Sequence, residues 1–322
     1  MSTVVSVVIV TYNSSKFIIE TLDSVYNLTW KDIELIITDD CSTDETVELC
    51  ETWLRQKSER FFRTCMVTSE VNTGVSANGN RGLGKVTSKW VKLLGGDDVL
   101  VPGCLTYNME HVSANPDIRV LFSQLEVFRD TFEAHNYDHS TPEEVGSDSI
   151  LWSQRSVDSQ YRMLLKTDRI HFSPSVFIHM DALVSVDCFD ERFRDFEDYT
   201  LWLNLTRKGH RLYFMKKVTV KYRMHAQALN NTGISQIVNP NYYKEEGMRK
   251  LYTYPYLPLD LKLEARHIWF VAQLFRLKEL NKRTKLNLFL WTLLRRYLNP
   301  FSYYIAIKKR LNPKLMENEL YL

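Results

Sequence analysis

No stretch of this 322-residue chain approaches the roughly 18 consecutive apolar residues that a bilayer-spanning helix needs. Residues 4–10 follow Met1 with no basic leader, so neither secretion nor membrane integration is expected. Cysteine is scarce and unpatterned: Cys41, Cys50, Cys65, Cys104 and Cys188 are odd in number and widely spaced, with no paired-thiol motif. That argues against a disulfide framework and a cysteine-built zinc site, and a reducing cytoplasm suits the chain best. Internal repeats and low-complexity tracts are missing too. So are the glycine spacing of a dinucleotide fingerprint, a phosphate-cradling P-loop and any RNA- or DNA-binding motif, so nucleic acid is not an expected partner.

What is present is an ordinary globular composition, 44% hydrophobic and 25% charged, long enough for one large domain or one domain with an appendage. The net charge of +2 hides an asymmetry. Residues 276–322 carry eleven Lys/Arg against three Asp/Glu, a local +8 that leaves the rest of the chain at −6.

Short apolar runs rich in β-branched residues predict strands at 4–10, 33–38, 65–69 and 90–94. Helical patterns lie between them. Phe17, Thr21, Leu22 and Val25 share one face of the first, and Val47, Leu49, Cys50 and Leu54 that of the second, which Ser42-Thr43-Asp44-Glu45 opens. Alternating β and α units imply a parallel sheet with right-handed crossovers. After Pro102 the spacing predicts a helix to about 114, a strand at 118–128, a polar loop or flap at 129–149 and a helix near 151–166. An extended segment at 170–178, a helix from Glu197 and two strands at 211–215 and 218–223 follow. From about 241 the chain is helical and increasingly basic, with Trp269, Phe270, Leu274, Leu277 and then Leu286, Leu290, Leu293, Leu294 at helical spacing.

Gly95-Gly96-Asp97-Asp98 follows directly on the fourth predicted strand. Open α/β sheets bind ligands beyond the carboxyl ends of their strands, so two mutually repelling carboxylates stand at a ligand position. A divalent cation with a phosphate-bearing ligand would relieve the repulsion; a plain surface turn would leave both acids solvated. Thr11-Tyr12-Asn13 ends the first strand and Thr38-Asp39-Asp40-Cys41-Ser42-Thr43-Asp44 the second, bringing polar side chains to the same edge, where they can bond a base and ribose. Alone, Asp40 and Asp44 read equally as helix caps. Asn72-Thr73-Gly74 through Asn80-Arg81-Gly82-Leu83-Gly84 suits a helix packed close to the sheet, with Arg81 available to a diphosphate.

The segments SVVIVTYN, IITDDCSTDET, NTG…NGNRGLG, GGDDVLVPG and FEDYTLWL, in this order and spacing, resemble family 2 glycosyltransferases of the bacterial surface-polysaccharide (O-antigen or capsule) type over roughly residues 4–225. The resemblance implies the GT-A fold, a Rossmann-like, mainly parallel sheet flanked by helices. It also implies a UDP-sugar donor, Mn²⁺ or Mg²⁺, and inversion at the anomeric carbon. The catalytic domain would span 1–240, with the nucleotide side in about 1–101 and the acceptor side in 102–240, followed by a basic amphipathic extension at 241–322.

On this resemblance Thr11, Tyr12 and Asn13 line the nucleotide pocket, Asp40 bonds the base, and Asp44, Asn72 and Arg81 belong to the same donor side. Asp97 takes the metal-ligand position of the Asp-x-Asp element with Asp98 beside it, while Gly95 replaces the first aspartate and puts a ribose contact in doubt. His225 matches a position that reaches back toward metal and diphosphate, although a histidine after a strand also serves structure.

An attacking acceptor hydroxyl must lose its proton, and Asp198 is the expected base with Glu197 as a neighbouring orienting group. In a helix starting here Asp198, Leu201, Trp202 and Leu205 share a face; the helix dipole stabilises the anion while burial opposes it. The Gln-x-x-Arg-Trp element of processive synthases is absent and Asn204 stands where many relatives carry Arg, so a single addition is favoured over polymerisation. Ser173-Pro174-Ser175 and the 129–149 loop are acceptor-side candidates.

Basic residues alternating with apolar, aromatic runs in the tail suit an anionic membrane surface, and hence a lipid-diphosphate-linked saccharide acceptor and a peripheral position on the inner face of the cell membrane. A solvated charged face is the plainer alternative, and a homodimer stays open. Two competing functions are weighed: a sugar nucleotidyltransferase, which would show a Gly-rich, Arg-containing loop where Thr11-Tyr12-Asn13-Ser14-Ser15 stands, and a nucleotide-sugar-binding scaffold without turnover.

Overall fold

The structure is a computed structural model that describes residues 3–194, 196–225 and 236–321. The chain divides into two compact units, Met1–Leu164 with Asp168–Met224, and Leu165–Thr167 with His225–Leu322. The division thus falls at the end of a strand, ahead of the change in composition near residue 241.

In chain order the first unit contains β1 (Val5–Thr11), α1 (Ile18–Tyr26), β2 (Ile33–Asp39), α2 (Thr46–Lys57), β3 (Arg63–Thr68), α3 (Val75–Leu83), β4 (Trp90–Gly95) and β5 (Val99–Leu100). These are followed by α4 (Cys104–Ala114), β6 (Val120–Arg129), β7 (Tyr137–Thr141), α5 (Val157–Lys166, whose last two residues count with the second unit), β8 (Phe177–His179), α6 (Met180–Ser185), α7 (Glu197–Arg207) and β9 (Leu212–Met224). One sheet runs β3-β2-β1-β4-β8-β6-β9-β5, with β7 added on β6. β3, β2, β1 and β4 are parallel, as the alternating βα pattern requires; the apolar runs of β2, β1 and β4 are buried, while β3 at the sheet edge is only half-buried. β8 is antiparallel to both β4 and β6, which makes the sheet mixed beyond the fourth strand.

Several boundaries differ from the sequence reading for identifiable reasons. The two strands expected at 211–215 and 218–223 are one strand, β9, whose register against β6 shifts around Gln124, opposite the exposed pair Lys216-Lys217. The extended segment at 170–178 contains a 3₁₀ turn, Ser173–Ser175, before β8. β7 lies within the 129–149 loop; an exposed strand carries no apolar alternation to reveal it. The helix expected from 151 starts at Val157. In α2 the buried face is Thr46, Cys50 and Trp53, because the Trp53 ring packs against Tyr26 and Phe61 at 6.1 and 5.9 Å.

Gly82 shows how tightly α3 lies on the sheet: a Cβ there would sit 2.7 Å from Val8 Cγ1 and 2.9 Å from Thr38 Cγ2. Gly82→Ala should therefore destabilise the protein by about 1 to 3 kcal/mol through overpacking, read as a lower urea midpoint. An unchanged midpoint would show that α3 can move off the sheet.

The second unit contains α8 (Pro240–Tyr252), α9 (Leu259–Leu274), α10 (Lys278–Asn281), α11 (Lys285–Thr292) and α12 (Pro300–Leu311). Its core gathers Val238, Val271, Ala272 and Phe275, with Leu290, Trp291 and Leu294 packed against them. Leu286, Phe289, Leu298, Tyr303, Tyr304, Ile307 and Leu311 stay exposed. No helix of the described residues is long and apolar enough to cross a membrane.

Candidate active site

The carboxyl ends of β1, β2 and β4 meet at one edge. The Asp40 N–H donates to Thr11 O at 3.1 Å and the Gly96 N–H to Val10 O at 3.0 Å, so the three strand-end loops are bonded to one another. Asn13, in a left-handed conformation (φ 48°), accepts from the Thr43 N–H at 2.8 Å and donates its own N–H to Ser42 Oγ at 2.8 Å. Asp44 accepts from the Ser15 N–H and the Thr46 N–H, so it ties the first loop to the start of α2. Tyr12 stands out from this knot with 47% of its surface exposed.

Asp40 is buried and saturated from within. Thr73 donates both its N–H (3.0 Å) and its hydroxyl (2.6 Å), the Gly74 N–H donates at 2.6 Å, and Arg81 reaches it at 3.3 Å. Burial alone would raise its pKa, yet these bonds hold the carboxyl below its ordinary range. Arg81 also donates to Asp39 O, Asn78 Oδ1 and Thr73 Oγ1. These two expected donor-site residues thus build the 72–74 loop. Asn72 itself is exposed, and both its carbonyl and Oδ1 accept from Arg194 Nη2. Gly74 is required there: φ is +95°, and a Cβ would lie 2.8 Å from Arg194 Cβ.

The acid pair is asymmetric. Asp98 is buried, and its Oδ1 accepts the Arg223 N–H at 2.9 Å, bracing the turn on β9. Burial, then the adjoining Asp97, push its pKa well above the carboxylate range, against the Arg223 N–H bond and the positive charges of Lys92 and Arg223. Asp97 is only half-buried, and its Oδ1 occupies the space beside Gly95, where a Cβ would come within 2.7 Å of it. The glycine that departs from the Asp-x-Asp pattern therefore makes room for the acid that remains. Next to this turn, Thr11 Oγ1 is buried with no hydrogen-bond partner among the described residues, and a Cβ on Gly96 would approach it to 2.7 Å. An orphaned hydroxyl beside a half-exposed carboxylate suits a ligand that brings its own polar atoms.

No group of three His, Cys, Asp or Glu side chains that could hold a metal occurs among the described residues. An accessible hard oxygen donor fits Mg²⁺ or Mn²⁺, which are held by one or two carboxylates plus substrate phosphates rather than by a full protein cage. His225 follows β9 directly and is the first residue of the second unit's main segment. Its place at a metal stays an expectation of the sequence.

Asp198 lies in the first turn of α7, half-buried. Its pKa is raised to about 6, first by burial and then by the Asp168 charge, with the Ser173 side chain opposing. Glu197, one residue earlier in that turn, is also half-buried. The segment leading into α7 is stitched to the donor side. Ser76 Oγ donates to Phe193 O at 2.5 Å, and Asn80 exchanges bonds with the Phe189 backbone at 2.9 and 3.0 Å.

Two residues passed over in the sequence prove central. Asn78, fully buried in α3, bonds Thr11 O, Thr38 and Arg81. Arg223, sandwiched between the Phe17 and Phe132 rings at 4.5 and 4.1 Å, donates to Asp97 O at 2.8 Å and to Glu20 at 2.5 Å. A charged residue closing a long strand was the available signal for the second.

Comparison with known proteins bears on the fold and the family. A β-1,3-glucosyltransferase of Escherichia coli named for UDP-Glc and α-D-GlcNAc-diphosphoundecaprenol is 24% identical over 76% of this chain and 87% of its own. A Campylobacter jejuni β-1,3-glucosyltransferase named for GalNAc(5)-diNAcBac-PP-undecaprenol is 24% identical over 72% and 68%. Among solved structures, S. aureus TarS in complex with UDP-GlcNAc superposes with a TM-score of 0.59 at 18% identity, covering 91% of this chain and 79% of that one. Against another TarS structure the chain spans only 60% of the other's length, at a TM-score of 0.52. A Pyrobaculum calidifontis mannosyltransferase in complex with GDP-Man and Mn²⁺ gives a TM-score of 0.52 at 13% identity over 96% and 75%. These likenesses establish the fold as GT-A, with helices following the sheet. Residues 6–193, more than half of the sequence and inclusive of every donor-side strand end, match glycosyl transferase family 2, and to that family this chain belongs.

Proposed function

We propose that the protein transfers a sugar from a UDP-sugar to a saccharide linked to a polyprenyl diphosphate, with inversion, in surface-polysaccharide assembly. The observation that carries this reading is the pairing of a half-exposed Asp97 at the donor edge with an Asp198 whose pKa of about 6 suits a general base near neutral pH. The E. coli and C. jejuni relatives, both named for undecaprenol-diphosphate saccharides, support the acceptor class.

In the reaction Asp198 takes the proton of the acceptor hydroxyl as its oxygen bonds to the anomeric carbon. The bond from that carbon to the diphosphate breaks on the opposite side and UDP leaves with the electron pair. An α-linked donor therefore gives a β-glycoside. Asp97 would hold the divalent cation, which when bound supplies neutralisation of the leaving diphosphate. Asp98 and Arg223 position Asp97, and the Thr11 hydroxyl and Asn13 loop face the nucleotide.

The test is UDP release across several UDP-sugars with Mn²⁺ or Mg²⁺, with and without an undecaprenyl-diphosphate-linked saccharide. Acceptor-dependent release with one donor is expected, and no turnover with any donor and either metal would sink the proposal.

The second unit supplies the membrane contact in this reading. Exposed Leu286, Phe289, Tyr304 and Ile307 accompany exposed Arg295, Arg296 and Arg310, a combination that binds anionic lipid surfaces. Reversing Arg295 and Arg296 to Glu should weaken binding to phosphatidylglycerol vesicles by about 1 kcal/mol or more per charge. Equal sedimentation of variant and wild type would remove the membrane contact from the proposal.

A further inference from the structure

Arg223, near the end of β9, is almost wholly buried, with 2% of its surface exposed. A charge so placed is costly unless its N–H groups are bonded, and here they reach three separate parts of the chain. Nε donates to Asp97 O at 2.8 Å, Nη1 to Asp130 O, and Nη2 to Glu20 Oε2 at 2.5 Å. The Phe17 and Phe132 rings lie against the guanidinium. Support of Asp97 accounts for only one of these bonds. The contacts with Asp130 and Phe132 belong to the root of the 129–149 flap, an acceptor-side candidate.

The flap grows out of β6. Asp130, in the left-handed region at φ 59°, turns the chain and donates its N–H to Met224 O at 3.0 Å. Phe128 meets both Phe132 and Tyr137, the first residue of β7, with ring centroids 5.5 and 5.6 Å apart. No residue from 133 to 149 is fully buried, so the flap's position depends on this root. A guanidinium is a rigid planar fork, and bonds from Nε to one carbonyl and Nη1 to another fix the two carbonyls relative to each other. We propose that Arg223 is a positioning residue that couples the flap to the Asp97 turn, so that seating the donor diphosphate with its cation orders the flap. By linkage the coupling is reciprocal: a flap held at its root favours the Asp97 geometry that binds the cation. The inference rests on Asp97 being the metal ligand of the proposed function.

The experiment pairs hydrogen exchange of the 129–141 backbone amides with calorimetric titration of UDP, each in Mn²⁺ and in EDTA, on the full chain. In wild type, saturating UDP with Mn²⁺ should slow exchange of these amides by about 5- to 50-fold, and UDP in EDTA should leave it unchanged. Arg223→Lys cannot reproduce the fork, and should lose that protection even when saturated with UDP and Mn²⁺. Phe132→Ala loosens the root from the flap side alone. It should cut the gain in UDP affinity that Mn²⁺ brings by about 3- to 10-fold, with affinity in EDTA within about twofold of wild type. Because Phe132 is only half-buried, this arm stands if the Arg223 variant does not fold. Exchange in wild type that ignores Mn²⁺ overturns the coupling, as does full protection in saturated Arg223→Lys, which would mean that the ligand orders the flap by direct contact. An undiminished Mn²⁺ gain in Phe132→Ala overturns it equally. Asp97→Ala with the full Mn²⁺ gain would instead overturn the metal assignment beneath it.

Discussion

Asp198→Asn should lower kcat by about 10² to 10⁴-fold, the usual contribution of a positioned general base, while UDP-sugar binding stays within about twofold. The variant keeps the shape of the carboxylate but cannot take a proton. The wild-type pH profile carries the same expectation. With the Asp198 pKa raised to about 6, chiefly by burial, kcat should be level near pH 7.5 and fall about tenfold per unit well below pH 6. A profile flat from pH 5 to 8 would exclude Asp198.

Stability should move the other way. A carboxyl whose pKa is higher folded than unfolded contributes stability below its unfolded pKa and loses it as pH rises through the folded value. At pH 7.5 the ionised Asp198 therefore costs the fold, and Asp198→Asn should stabilise the protein by about 1 to 3 kcal/mol, visible as a higher Tm. Loss of activity with a lower Tm would indicate a damaged fold instead of a missing base.

Asp97→Ala should have the second large effect, a loss of about 10² to 10³-fold in kcat/KM together with the metal dependence of donor binding. In calorimetric titrations, UDP-sugar affinity in Mn²⁺ should fall to the value measured in EDTA. Asp98→Asn provides the contrast. Because Asp98 is buried, strongly disfavoured as an anion and bonded to the Arg223 N–H, a neutral amide can replace it with the turn largely intact. Asp98→Asn should keep the Mn²⁺ response that Asp97→Ala loses. If both variants lose it equally, the metal role does not belong to Asp97 alone.

The parallel core was legible because its residues carry period and punctuation. Residues 4–10, 33–38 and 90–94 are short β-branched or apolar runs ending in Thr11, Thr38-Asp39 and Gly95, and each became a buried strand within a residue or two. The start of α7 at Glu197 was equally readable, since an acidic pair precedes Leu201, Trp202 and Leu205 at helical spacing. β7 and the bulge in β9 were not, because exposed strands and register shifts leave no apolar pattern. The second helix misled over its buried face: Val47, Leu49 and Leu54 outrank Thr46 in hydropathy, but the position of the Trp53 ring decides which side turns inward.

Chemistry divides along the same line. The order of the acids, Asp40, Asp97-Asp98 and then Asp198, is a property of the sequence, and an alternating βα chain sends the strand-end ones, Asp40 and Asp97-Asp98, to one edge whatever the packing details, whereas Asp198 comes from the first turn of α7. Which acid is accessible, and how each ionises, only the tertiary structure decided. Burial, hydrogen bonding and neighbouring charge come from residues distant in the chain: Thr73 and Gly74 for Asp40, Arg223 for Asp98, Asp168 for Asp198. A carboxylate's pKa follows its surroundings, and those surroundings exist only once the chain has folded.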